Sequence, residues 1–131
     1  MLDKLTKHHV GIIIDEEKVE ILENKFSKKF HLDKTQGTRV LFVYDEDLNM
    51  FREYIVKEGR VKNLQLGFAH ICYNVPDSDI FEKIDKFIKE NKLGYPVTKL
   101  EMSASSECGL VRFYFLKYHG LIELNQQNIN V

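Results

Sequence analysis

Two histidines and two glutamates stand inside segments that otherwise read as apolar β-strands. They are His9 in HVGIII (9 to 14), His70 in HICYNV (70 to 75), Glu53 in REYIVKEG (52 to 59) and Glu123 in GLIELNQ (120 to 126). Imidazole nitrogen and carboxylate oxygen together make a mixed donor set that suits a divalent first-row metal ion, with further positions left to water or substrate. Taken singly, each residue has a plainer reading. A strand histidine is ordinarily satisfied by a backbone carbonyl, and a strand glutamate such as Glu123, on one face with Leu121 and Asn125, is ordinarily turned to solvent.

Repetition separates the two readings. His9 and His70 each open a strand, 61 residues apart, while Glu53 and Glu123 each lie in the last strand of their half, 70 residues apart. Loops of unequal length absorb the mismatch. The elements that position them also repeat. HHVGIII (8 to 14) is followed by Asp15 as an N-cap and by Val19, Leu22, Phe26 and Phe30 at helical spacing. Then come FHLDK, the turn TQG (35 to 37), the strand RVLFVY (39 to 44), the turn DEDLN and the strand REYIVKEG. The second half runs from the strand FAHICYNV (68 to 75) through Pro76-Asp77-Ser78 as a cap to a helix carrying Ile80, Phe81, Ile84, Phe87 and Ile88, with Lys92-Leu93-Gly94 as its stop. Strands follow at 97 to 104, 110 to 116 and 120 to 126. Both halves therefore read as βαβββ modules, about 7–59 and 67–127, within a single domain spanning 1–131. The expected fold is α+β, the two modules forming a curved, partly open mixed sheet around a metal site. A pseudo-twofold relation between the modules would bring the four ligands together.

Composition narrows the function classes. With 19 basic and 20 acidic residues the formal net charge is −1, so nothing in the balance attracts a polyanion such as nucleic acid. No window approaches the roughly 20 apolar residues of a membrane span, and the N-terminal apolar run is too short for a signal peptide, so a cytoplasmic protein is expected. Cys72 and Cys108 form no metal or disulfide pattern and read as reduced thiols. No activated Ser or Cys nucleophile and no phosphate loop is evident. Near the candidate ligands, Asn74 and Cys72 share the face of His70. Arg112 and Tyr114 share one face of LVRFYFL, where Arg112 has the planar fork to pair with a substrate carboxylate, or is a surface arginine or one paired with a nearby glutamate. The segment SASSECG (103 to 109) reads as a loop over the site or as a linker.

The paired modules, with HVGI at the start, HICYNV in the middle and GLIELNQ at the end, resemble the vicinal oxygen chelate superfamily, which takes in glyoxalase I, methylmalonyl-CoA epimerase, extradiol dioxygenases and drug-binding resistance proteins. TQGTRVLFVYDED followed by REYI is most similar to the epimerase branch, and the likeness runs from about His8 to Gln126. The resemblance implies one divalent metal ion (Co, Ni, Mn, Zn or Mg) held by His9, Glu53, His70 and Glu123, with Glu123 also moving a proton and His8 a rival to His9. It implies an epimerase, isomerase or lyase that abstracts a proton next to a metal-bound carbonyl of a small carbonyl compound or acyl thioester, in a homodimer. Asn74, Arg112 and Tyr114 are the candidate substrate contacts. Alternatives are a glyoxalase I-like lactoylglutathione lyase and a non-catalytic small-ligand-binding member of the fold. Two departures stand out. Val40 occupies the place where some epimerases of the family carry a second catalytic glutamate, and the connection KEGRVKNLQLG is short.

Overall fold

The computed structural model describes residues 2–127, and its chain divides into two compact units, His9–Ala69 and Met1–His8 with His70–Val131. In the first, the sheet order is β2-β3-β4-β1, from β1 (Thr6–Ile14), β2 (His31–Asp33), β3 (Thr38–Asp45) and β4 (Met50–Val56). β2–β3 and β3–β4 are antiparallel, and β4 runs parallel to β1 over His9–Ile14. A short helix, α1 (Val19–Phe26), covers one face and packs Val19, Leu22 and Phe26 against Ile12, Ile14, Leu41, Tyr54 and Val56. The apolar rhythm continues to Phe30, but the helix does not. Ser27 turns left-handed (φ 51°), and the Phe30 N–H is taken by the Glu23 carboxylate at 2.7 Å, so Phe30 reaches the same cluster from outside the helix. Asp15 makes no side-chain cap; a single 3-10 turn, Glu16–Lys18, leads into α1 instead.

The second unit repeats the plan. β5 (Gly67–Asn74) runs parallel to β9 (Gly120–Gln126), β9 is antiparallel to β8 (Leu110–Leu116), and β8 pairs on its far side with β6 (Gly94–Pro96) and β7 (Glu101–Met102). Helix α2 (Asp79–Glu90) buries Phe81, Ile84 and Ile88 against Val75, Tyr114, Leu116, Ile122 and Leu124, with Leu2 from the N-terminal segment closing the cluster. Each fully buried apolar side chain of this size contributes roughly 1.5–3 kcal/mol of transfer free energy. Asp77 rather than Ser78 caps α2, accepting the Asp79 N–H at 3.0 Å.

Of the strand expected over 97–104 only β7 forms, at Glu101–Met102, while β6, at Gly94–Pro96, lies before that stretch, where the sequence reads as the stop of α2. Thr98 is the physical reason: its hydroxyl accepts the Phe113 N–H at 3.0 Å, a bond that an unbroken ladder would give to a backbone carbonyl, and its own carbonyl is turned to Arg112 Nε at 2.8 Å. In each unit one α-helix, α1 or α2, thus packs on a single sheet face. No helix among the described residues is long and apolar enough to cross a membrane.

Candidate metal centre

The histidines and glutamates lie on the sheet faces opposite α1 and α2. In the first unit, parallel pairing sets Gly11 opposite Glu53, which places His9, two residues earlier on the same face of β1, within reach of the carboxylate. His9 Nε2 and Glu53 Oε1 are 3.1 Å apart, and the two residues are 1% and 4% exposed. The second unit uses the same register: Cys72 faces Glu123, His70 precedes it by two residues, and His70 Nε2 lies 3.1 Å from Glu123 Oε1, at 3% and 4% exposure.

An aromatic ring completes each pair. Phe42 of β3 lies opposite Glu53 and meets His9 edge-on, with ring centroids 5.3 Å apart at 86°. Phe113 of β8 lies opposite Glu123 and meets His70 in the same way, at 5.0 Å and 79°. Both rings were missed in the sequence, where they look like ordinary strand apolars; the signal that would have found them is their matched position opposite the two glutamates. A hydrophobic wall beside a buried imidazole and carboxylate keeps water away and strengthens whatever charge the pair engages. Buried imidazole nitrogens and carboxylate oxygens of this kind are donors that fit a divalent cation in chemistry.

Another buried carboxylate, Asp33, lies on the Glu53 side of the first unit, since Asp33 faces Thr38 and Thr38, Val40 and Phe42 alternate onto one face. It accepts the Thr35 and Gln36 N–H groups at 3.1 and 3.3 Å and so builds the TQG turn. Burial first, and then the charge of Glu53, push its carboxyl above the ordinary range, against the opposing pull of the turn amides.

Arg112 and Tyr114 do not join the His70–Glu123 face. Because Phe113 faces Glu123, period-2 alternation turns its neighbours to α2. There Arg112 Nη1 donates to Asp85 Oδ2 at 2.5 Å and the Tyr114 hydroxyl to Asp85 Oδ1 at 2.7 Å. Burial, then the Asp85 carboxylate it donates to, push the Tyr114 hydroxyl above the ordinary phenol range. This linkage ties helix to sheet, which is the paired-arginine alternative for Arg112 with an aspartate as its partner. Asn74 does lie on the His70 face. It accepts Asn125 Nδ2 at 3.0 Å, and Asn125 Oδ1 takes the Gly109 N–H at 2.7 Å, anchoring the 103–109 loop to the strand that carries Glu123. That loop is closed by Ser103 N–H to Gly109 O at 2.8 Å. Cys72 and Cys108 are buried thiols.

No protein-family model matches the sequence, and no curated protein matches it. Solved structures do. A methylmalonyl-CoA epimerase from Mycobacterium tuberculosis superposes with a TM-score of 0.65 at 14% identity, over 92% of this chain and 87% of that one. A Streptomyces coelicolor methylmalonyl-CoA epimerase in complex with 2-nitronate-propionyl-CoA gives 0.60 at 18% identity, over 96% and 97%. A hypothetical protein from Bacillus halodurans C-125 gives 0.68 at 15% identity, over 98% of each chain. With matched strand pairing in its two units and a likeness that runs through almost the whole chain, the protein has the α+β fold of the methylmalonyl-CoA epimerases.

Proposed function

We propose that the protein is a divalent-metal-dependent isomerase or lyase that removes a proton next to a carbonyl, in the manner of a methylmalonyl-CoA epimerase. The observation that carries this reading is the duplicated, buried His–Glu contact, 3.1 Å in each unit and backed in each by a phenylalanine at the equivalent register. His9, Glu53, His70 and Glu123 would together hold one ion of the Co, Ni, Mn, Zn or Mg kind. When bound, such an ion supplies positive charge for the negative charge that develops on a carbonyl oxygen as the neighbouring carbon loses its proton. Glu123 is the proton carrier. Its carboxylate lies 3.1 Å from His70 Nε2, which would orient it toward the proton it takes. Phe113 and Phe42 exclude water from the imidazoles, and the fixed strands hold the donors in place without reorganisation.

The substrate class on this reading is a small carbonyl compound or acyl thioester. The named ligands of similar epimerases, 2-nitronate-propionyl-CoA and methylmalonyl-CoA, support a thioester. The reading also takes the protein to be a homodimer, which light scattering tests directly.

Elemental analysis of the purified, tag-free protein tests the metal reading, together with His70→Ala and Glu123→Gln variants whose folding is checked by circular dichroism. About one divalent ion per chain, lost in both folded variants, is the expected result. Metal-loaded protein should then catalyse exchange of the α-proton of 2-substituted acyl thioesters with D₂O, and Glu123→Gln should slow that exchange at least about 100-fold. Failure of the wild-type protein to bind Co²⁺, Ni²⁺, Mn²⁺ or Zn²⁺ on titration would overturn the metalloenzyme reading and leave a non-catalytic ligand-binding protein.

A further inference from the structure

The face that carries His70 and Glu123 continues into an apolar row that is open to solvent. Tyr95 of β6 lies opposite Phe115 of β8, and Phe115 lies opposite Leu121 of β9, so the three side chains line up across three strands. The next row on the same face holds Phe113 and Glu123, two residues further along. Two residues of strand rise are about 7 Å. The rings of Tyr95 and Phe115 stack with centroids 5.9 Å apart at 25°, and they remain 59% and 46% exposed. Two stacked aromatic rings held open to water within one strand step of a buried His–Glu pair form a platform for a flat apolar group.

The first unit repeats the arrangement. Tyr44 stands two residues from Phe42 on β3, as Phe115 stands two residues from Phe113 on β8, and it is about half exposed. Repetition of an exposed ring at this one register argues for a use tied to the His–Glu pair rather than for chance surface composition. Arg39, Arg52 and Arg112 are each committed to acidic partners, Glu58 and Glu16, Asp45, and Asp85 respectively.

We infer that the compound handled at Glu123 carries a flat apolar substituent, such as an aryl group on the acyl side, which seats on the Tyr95–Phe115–Leu121 row. This rests on the function proposed above. The reacting carbon lies at the carboxylate and the substituent extends about one strand step from it along the sheet. A second copy of the chain is the rival occupant of the row, and the experiment separates the two.

The probes are the N-acetylcysteamine thioesters of 5-phenylpentanoate, whose ring reaches about one strand step from the α-carbon, and of pentanoate, titrated into the whole protein and followed through its aromatic NMR resonances. The phenyl thioester is expected to bind about tenfold tighter or better, in line with stacking energies. The double variant Tyr95→Ala, Phe115→Ala changes exposed side chains and should keep its circular dichroism spectrum, while its two affinities come within about threefold of each other. Equal binding of both thioesters to wild type, binding of neither, or a phenyl preference that survives the double variant overturns the inference. So does a wild-type dimer that dissociates in the double variant with the ligand preference unchanged, since the row would then be an interface. Exchange of α-protons with D₂O is followed in parallel. Loss of that activity alongside an intact phenyl preference would count against proton abstraction and leave the aryl platform standing.

Discussion

His70 is held between a carboxylate and an aromatic edge, with Glu123 at 3.1 Å on one side and Phe113 at 5.0 Å on the other. In the first unit, Arg39 is bonded closely to the carboxylate of Glu58. Its backbone N–H and Nε both reach Glu58 Oε2, at 2.9 and 3.0 Å, and Nη2 reaches Oε1 at 2.9 Å. Hydrogen bonds from the Arg39 side chain hold the Glu58 carboxyl below its ordinary value of 4.5, against a smaller opposing effect of burial. A depressed carboxyl stabilises the fold above its unfolded pKa, and that contribution is lost as pH falls through the folded value, which lies below 4.5. Glu58→Gln should therefore cost about 0.5–1 kcal/mol near neutral pH, discounted for the partial exposure of both side chains. The difference from wild type should shrink as the pH is taken down from neutral into the acid range below 4.5, as the Glu58 carboxyl of the wild type takes up its proton. Urea unfolding at the two pH values measures it.

At the scale of the element, the edge of the second unit depends on a glycine. A Cβ on Gly94 would lie 2.1 Å from the Phe115 carbonyl oxygen and 3.0 Å from the Leu116 Cα, so β6 can approach β8 only without a side chain there. Gly94→Ala should destabilise the protein by about 2–3 kcal/mol, because the atoms that must move are backbone. It should also displace Tyr95, the next residue, from its stack on Phe115. Urea unfolding reads the first effect and the Tyr95 ring resonances read the second; an unchanged stack would show that β6 can shift as a rigid strand. The same element explains a difference between sequence and structure. Residues 97–104 have a strand's composition, but whether they join β8 as one strand depends on Thr98 exchanging bonds with Phe113 and Arg112, partners 14 and 15 residues away. Local pattern carries no information about such a partner.

For the whole molecule, an ion bound by the folded state and not by the unfolded chain would add its binding free energy to the stability of the fold. At a free ion concentration about 100-fold above its Kd, a ligand specific to the folded state adds about 2.7 kcal/mol. Thermal unfolding of chelator-treated protein should therefore begin several degrees lower and recover when the ion is returned. An unchanged transition would mean that no such ion is bound by the native state. The His70→Ala chain should show no recovery.

The sequence by itself determined the repeated order of a strand, a helix and further strands, the faces of the long strands and which ionisable residues stand inside them. Strand alternation is local, with a period of two, and ionisable residues inside apolar strands stand out against it. Val40 could be read in the same way as a position without a carboxylate. Only the tertiary structure decided what stands across from each strand. Register brought Phe42 and Phe113 to the glutamates, turned Arg112 and Tyr114 to Asp85 on α2, set Asp33 on the side of Glu53 and stacked Tyr95 on Phe115. Register joins residues far apart in the chain through backbone ladders and shared burial, and shifting it by one residue would turn every one of these side chains to the other face.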